Sequence, residues 1–184
     1  MDDARKMGLP GEPAGERLVD RVLRVDHAGE YGAVRIYEGQ LAVLGRKGPA
    51  GETIAHMAEQ ERRHLGAFER LLPERHARPT VLQPIWHVAG FALGAATALL
   101  GEKAAMACTV AVEEVIDAHY RDQIEALPEE EADLKATLEE FRREEVEHRD
   151  TALAHDALAA PGYELLSGAI KAGSRLAIWL SSRI

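Results

Sequence analysis

The 184-residue chain is expected to be all-α: a four-helix bundle with an additional apolar crossover helix and a C-terminal amphipathic helix. Three observations predict this. Val, Ile and Thr never alternate with polar residues over a strand length. Ala, Leu, Glu and Arg, all good helix formers, dominate. Pro and Gly fall at nearly every boundary between long periodic segments, as helix punctuation requires.

The first helix should run from about Glu16 to Arg46 and end at Lys47-Gly48-Pro49. The second spans about Gly51 to Leu72 and stops at Pro73. The third is the apolar stretch from about Val81 to Leu100. The fourth covers about Glu102 to Leu127 and stops at Pro128. The fifth runs from about Glu129 to Ala159, before Pro161-Gly162, and the tail forms the sixth. The first, second, fourth and fifth are long enough for a bundle, and the long stretch between the second and fourth resembles the crossover of ferritin-like bundles. Residues 1–15 read as a flexible leader and residues 16–184 as one domain.

Net charge is −9 and 46% of residues are hydrophobic. A packed core is therefore within reach, and the acidic balance speaks against a nucleic-acid partner. The single cysteine, Cys108, excludes an internal disulfide and a Cys-rich zinc site, and reads as core packing. The first 20 residues hold Asp2, Asp3, Glu12, Glu16 and Asp20 and no apolar run, unlike a secretory or mitochondrial targeting segment. No Asp, Glu, Lys or Arg occurs from Pro79 to Gly101. Its prolines, glycines, Gln83 and His87 suit a helix lying in a membrane interface, or a buried one, better than a span. In the tail, Ile170, Leu176, Trp179, Leu180 and Ile184 are interleaved with Lys171, Arg175 and Arg183. That is the composition of an interfacial anchor or of a last helix capping the core. Interface helices are thus expected near 81–100 and 163–183.

Two Glu-x-x-His motifs occur, Glu61–His64 and Glu145–His148. Residues three apart share a helix face, so each pair can bind one ion. About one such motif is expected by chance in this composition, so the motif alone is weak. Its position is stronger. Glu61 and His64 interrupt the stripe Ile54, Met57, Leu65, Phe68, while Glu145 and His148 follow Leu134, Leu138 and Phe141. An ionised carboxylate at a core position is expensive unless paired or metal-bound. In the first helix Glu30 lies within the stripe Leu23, Asp26, Val34, Tyr37, Leu41. In the fourth, both Glu113 and Glu114 are available. Turning Glu114 inward would bring Arg121 and Glu125 with it, whereas Glu113 brings Tyr120 and Ile124, which favours Glu113. Glu30 and Glu113 precede their motifs by 31 and 32 residues, a weak internal repeat. Four Glu and two His are the ligand set of ferritin-like di-iron or di-manganese proteins, and oxygen-rich donors with one imidazole per metal suit Fe or Mn. Asp26 and Asp117, four residues from Glu30 and Glu113, are candidates to orient the imidazoles, with a surface ion pair to Arg as the alternative for each.

Asp26-His27-Ala28-Gly29-Glu30-Tyr31-Gly32-Ala33 resembles the signature of the demethoxyubiquinone hydroxylases. So do Ala105–Glu114, Arg78–Leu82 and Gly90–Gly94. The resemblance covers about residues 16–184. It places the family's ligands on Glu30, Glu61, His64, Glu113, Glu145 and His148, and it implies a role for His119 and Tyr120 near the quinone and the irons. It further implies two Fe ions bridged by carboxylate and O2-dependent hydroxylation of a demethoxyubiquinol ring with a two-electron donor. A polyprenyl quinone substrate, a membrane interface and a lipid-binding protein partner go with it, and a homo-oligomer is compatible with it. The expected location is peripheral, on the cytoplasmic face of a bacterial membrane, or the matrix side of the mitochondrial inner membrane in a eukaryote. A ferroxidase bundle and a non-catalytic, membrane-associated helical scaffold are the rival readings. His87 is expected to be interfacial or internally satisfied rather than a ligand.

Overall fold

A computed structural model describes residues 14–184; residues 1–13 of the expected leader lie outside them. Six α-helices follow in order: α1 (Ala14–Leu44), α2 (Pro49–Glu74), α3 (Gln83–Leu99), α4 (Glu102–Ala126), α5 (Ala132–Ala154) and α6 (Tyr163–Ser181). Short 3-10 turns occupy Glu129–Glu131 and Ala157–Ala159. No strand occurs among the described residues. The expected all-α bundle is what the described residues form: α1 packs against α2 and α4 against α5, with α3 against α1 and α6 against α4.

The interior is layered. Tyr37, Leu41, Ile54, Met57, Met106, Val110 and Ala152 form one buried apolar cluster. Val22, Leu23, Phe68, Tyr120, Leu138 and Phe141 form another. Along α2, Glu61 and His64 fall between Met57 of the first and Phe68 of the second. Along α5, Glu145 and His148 fall between Phe141 and Ala152. The polar interruptions of each stripe therefore become one polar layer sealed above and below by apolar side chains.

Several boundaries differ from the sequence expectation, each for a local reason. α1 stops at Leu44, before Arg46, because Gly45 takes a left-handed φ of 77° and its N–H bonds back to the Leu41 carbonyl at 2.9 Å. Gly48 then precedes α2, whose first residue is Pro49, where a missing N–H costs nothing. α2 runs through Pro73 to Glu74; a proline in the last turn forfeits one hydrogen bond and has little helix after it to disrupt. α5 ends at Ala154, earlier than Ala159, as Asp156 adopts a left-handed φ of 60°, which Asp tolerates better than most residues.

α3 reaches α1 through glycine. A Cβ on Gly94 would overlap the Ile36 carbonyl oxygen and lie 2.8 Å from its carbon, and one on Gly90 would meet the Gly32 carbonyl oxygen at 2.9 Å. The two backbones thus touch directly, as in small-residue helix contacts generally. The opposite face of α3 is open: Ile85, Val88 and Leu99 are exposed, as is Val81 just before the helix. α6 exposes Leu165, Leu176 and Trp179. The start of α3 and the end of α6 meet, with Trp86 Nε1 donating to Ser181 Oγ at 3.0 Å. Among the described residues no helix is long and apolar enough to cross a membrane.

Candidate metal centre

Glu30 from α1, Glu61 and His64 from α2, Glu113 from α4, and Glu145 and His148 from α5 converge in the polar layer. Each is 4% exposed or less. Their donor atoms fall into two groups able to hold a metal ion: Glu30, Glu61, His64 and Glu145, and Glu61, Glu113, Glu145 and His148. Within each group the donor atoms lie within 4.8 Å of one another. Glu61 and Glu145 belong to both, which is the arrangement two carboxylates need to bridge neighbouring ions. Glu114 points elsewhere and pairs with Lys171.

Both imidazoles turn Nδ1 inward. His64 Nδ1 lies 3.0 Å from Glu145 Oε1 and 3.4 Å from Glu30 Oε2, yet it has no aligned hydrogen bond. His148 Nδ1 sits 3.1 Å from Glu61 Oε1 and 3.0 Å from Glu145 Oε2. Glu30 Oε2, Glu61 Oε1 and Glu145 Oε1 are buried without a hydrogen-bond partner. Orphaned buried oxygens are costly in protein interiors, and here they share a focus with two imidazole nitrogens. The donor chemistry and the orphaned atoms fit a pair of divalent first-row metal ions.

The charge state of these groups follows from their crowding. Burial, with the charge of Glu61, raises the Glu30 carboxyl to about 7 against the opposing pull of His64. Burial and the charges of Glu145 and Glu61 raise Glu113 as well. Burial would lower His148, but the adjacent carboxylates of Glu145 and Glu61 carry it up to about 11. His64 is likewise raised, burial being outweighed by the close carboxylates of Glu145, Glu30 and Glu61. Crowding thus favours the protonated form of Glu30, Glu113 and both imidazoles.

A second ring of contacts repeats the pseudo-twofold pattern. Tyr37, seven residues after Glu30, donates to Glu113 Oε1 at 3.0 Å. Tyr120, seven residues after Glu113, donates to Glu30 Oε1. Each tyrosine therefore holds the carboxylate of the other half. The residue before each motif does the same for the imidazoles: His64 Nε2 donates to Glu144 Oε2 at 2.8 Å, and His148 Nε2 donates to Gln60 Oε1 at 3.2 Å. Gln60, Glu144 and the cross-pairing of Tyr37 lie outside the residues expected from sequence. Their signal was available as matched offsets from Glu61, Glu145 and Glu30.

Asp117 does not contact the imidazoles. It accepts from Arg142 Nε at 2.7 Å, the surface ion pair that was its alternative, because its helical position lies just beyond the inner face. Asp26 is buried and accepts from Gln123 Nε2 at 2.7 Å, with His119 Nε2 3.5 Å away. Burial raises its carboxyl, and His119 opposes that. A cavity of about 180 Å³ reaches this network, lined in part by Val22, Val25, His119 and Gln123. His119 is thus at a cavity wall, while Tyr120 is fully buried on Glu30. His87 Nδ1 is satisfied by Tyr31 Oη at 2.6 Å, and Cys108 is buried core.

A helical bundle enclosing two overlapping carboxylate–imidazole donor sets defines a protein able to hold metal ions at a buried site. The chain belongs to the family described as Ubiquinone biosynthesis protein COQ7, whose model matches residues 17–181. It is similar to a 3-demethoxyubiquinol 3-hydroxylase from Rhodospirillum rubrum, 61% identical over 96% of this chain and 83% of that one. A rat NADPH-dependent 3-demethoxyubiquinone 3-hydroxylase, mitochondrial, is 57% identical over 96% of this chain and 82% of its own. The Saccharomyces cerevisiae 5-demethoxyubiquinone hydroxylase, mitochondrial, is 42% identical over 91% and 78%.

Proposed function

We propose that this protein is a di-iron monooxygenase that hydroxylates the ring of a demethoxyubiquinol in ubiquinone biosynthesis. The observation that carries the reading is the pair of donor sets sharing Glu61 and Glu145, in a chain of the family just described. Iron bound there would supply O2 activation and delivery of one oxygen atom to the ring, the other leaving as water with two electrons from a donor.

The residues have separate tasks. Glu30 and His64 would hold one ion and Glu113 and His148 the other, with Glu61 and Glu145 within reach of both. Tyr120 and Tyr37 fix the outer carboxylates, so that each presents its remaining oxygen inward. Glu144 and Gln60 accept the Nε2 protons and thereby keep Nδ1 free for metal. The apolar clusters above and below cover the donor layer on two sides. His119 with Tyr120 forms the substrate side, where the cavity near Asp26 meets the ligand Glu30.

Residues 16–184 act as one domain, and α3 and α6 lie in the membrane interface, where a polyprenyl quinone resides. The support is the exposed apolar set Val81, Ile85, Val88, Leu99, Leu165, Leu176 and Trp179, with Arg175 and Arg183 among them for lipid headgroups. The location is then peripheral, on the cytoplasmic face of a bacterial membrane or its mitochondrial equivalent. A lipid-binding protein that presents the quinone is a fitting partner for the same face.

The test is turnover of demethoxyquinol by iron-loaded protein with O2 and an electron source. A product heavier by one oxygen is expected, and Glu145→Ala should abolish it along with iron retention. Iron retention with no ring product would favour a ferroxidase, and failure to retain iron would favour a scaffold. Liposome flotation should carry the protein upward; protein left wholly at the bottom would overturn the interfacial placement.

A further inference from the structure

The two halves of the metal centre follow one pattern except where they meet the outside. On the His64 side the imidazole donates to a carboxylate, Glu144, which Arg63 Nη2 anchors at 2.9 Å. Phe141 stacks on the His64 ring at 4.1 Å between centroids, and Phe68 packs edge-on to Phe141. On the His148 side each counterpart is weaker or smaller. The imidazole donates to a neutral amide, Gln60. Residues 84 positions before Phe141 and after Phe68 are Met57 and Ala152. Tyr37 meets the His148 ring only edge-on, at 6.3 Å between centroids, and where Phe141 would stack there is a cavity of about 330 Å³, lined by Thr53, Met57, Gln60, His148 and Thr151 with Glu52, His56 and Glu147 among its walls.

The difference between Glu144 and Gln60 has a physical reason. Gln60 Nε2 donates to Glu144 Oε2 at 3.5 Å. Two carboxylates that close would repel each other, so only one of the two imidazoles can be backed by full charge, and the amide at the other links both. A carboxylate behind a metal-bound imidazole raises its basicity and tightens the ion, and loss of such a partner typically weakens binding about 10- to 100-fold.

We infer that the two metal positions are unequal. The one at His64 and Glu30 is held, and the one at His148 and Glu113 exchanges its divalent cation with solvent through the cavity beside Gln60. This rests on the metal reading above. Metal enters and leaves through the face bearing Glu52, His56 and Glu147, distinct from the cavity at His119.

Release kinetics test this without turnover. The full chain, loaded with Co2+, is mixed with excess chelator while the cobalt absorption is followed. Two phases of about one ion each are expected, separated about ten-fold or more in rate. Glu144→Gln, which keeps shape and an acceptor, should speed the slow phase about ten-fold and leave the fast one. Thr151→Phe, which fills the cavity, should slow the fast phase alone; circular dichroism checks that both variants remain helical. Both ions leaving in one phase would overturn the inference and spare the metal reading. So would Glu144→Gln acting on the fast phase, or Thr151→Phe leaving it unchanged. Uptake of no cobalt would remove the metal reading itself, and the inference with it.

Discussion

Gly94→Ala is the sharpest test of how α3 is attached. A Cβ there would overlap the Ile36 carbonyl oxygen and approach its carbon to 2.8 Å and its Cα to 3.0 Å. The obstacle is α1 backbone, which cannot rotate aside as a side chain could. α3 must therefore withdraw by roughly 1 Å, enough to forfeit a quarter to a half of the dispersion energy across the contact. Overpacking of this kind costs about 3 kcal/mol at the upper end. Alanine returns about 1 kcal/mol in helix propensity, leaving a net loss of about 2 kcal/mol. Gly168→Ala on α6 is the control, since a Cβ there meets nothing within 4 Å; it should gain about 0.5–1 kcal/mol. Thermal unfolding of the metal-free chain, followed by circular dichroism, should put Gly94→Ala about 4–8 °C below the parent. Gly168→Ala should lie at or above the parent. A Gly94→Ala protein as stable as the parent would refute direct backbone contact between α1 and α3.

Tyr37→Phe should cost about 1–2 kcal/mol in urea unfolding, because it leaves the buried Glu113 Oε1 without its donor. Metal uptake at pH 7 should release protons. Glu30, raised to about 7, and the imidazoles, with His148 at about 11, hold protons that the metal must displace. Affinity should then fall as pH is lowered, and calorimetry in buffers of different ionisation enthalpy measures the number released. Cys108, whose thiol burial pushes up to about 12, should resist iodoacetamide at pH 8 in the folded protein and react once it is unfolded.

Much of the site was legible because a carboxylate in an apolar stripe contradicts its surroundings. Glu61, His64, Glu145 and His148 each broke a 3.6-residue pattern, and the choice of Glu113 over Glu114 followed from which neighbours would turn inward with it. The same logic failed for Asp117, where one step around the helix separates the inner face from Arg142. It also failed at helix ends. Gly45 and Asp156 stop their helices by a left-handed backbone that residue type permits but does not require.

Helical character, the apolar face of each helix and the acidic residues that interrupt it are all readable from the amino-acid order. Those are properties of one helix at a time, set by periodicity. The sharing of Glu61 and Glu145 between two donor sets emerges only when the helices are packed together. Only that packing shows that Tyr37 and Tyr120 cross to the opposite carboxylates, and that Gln60 and Glu144 cross to the opposite imidazoles. Such pairings depend on the register and spacing between helices, which arise from packing contacts such as Gly94 on Ile36 and leave no periodic trace in any single helix.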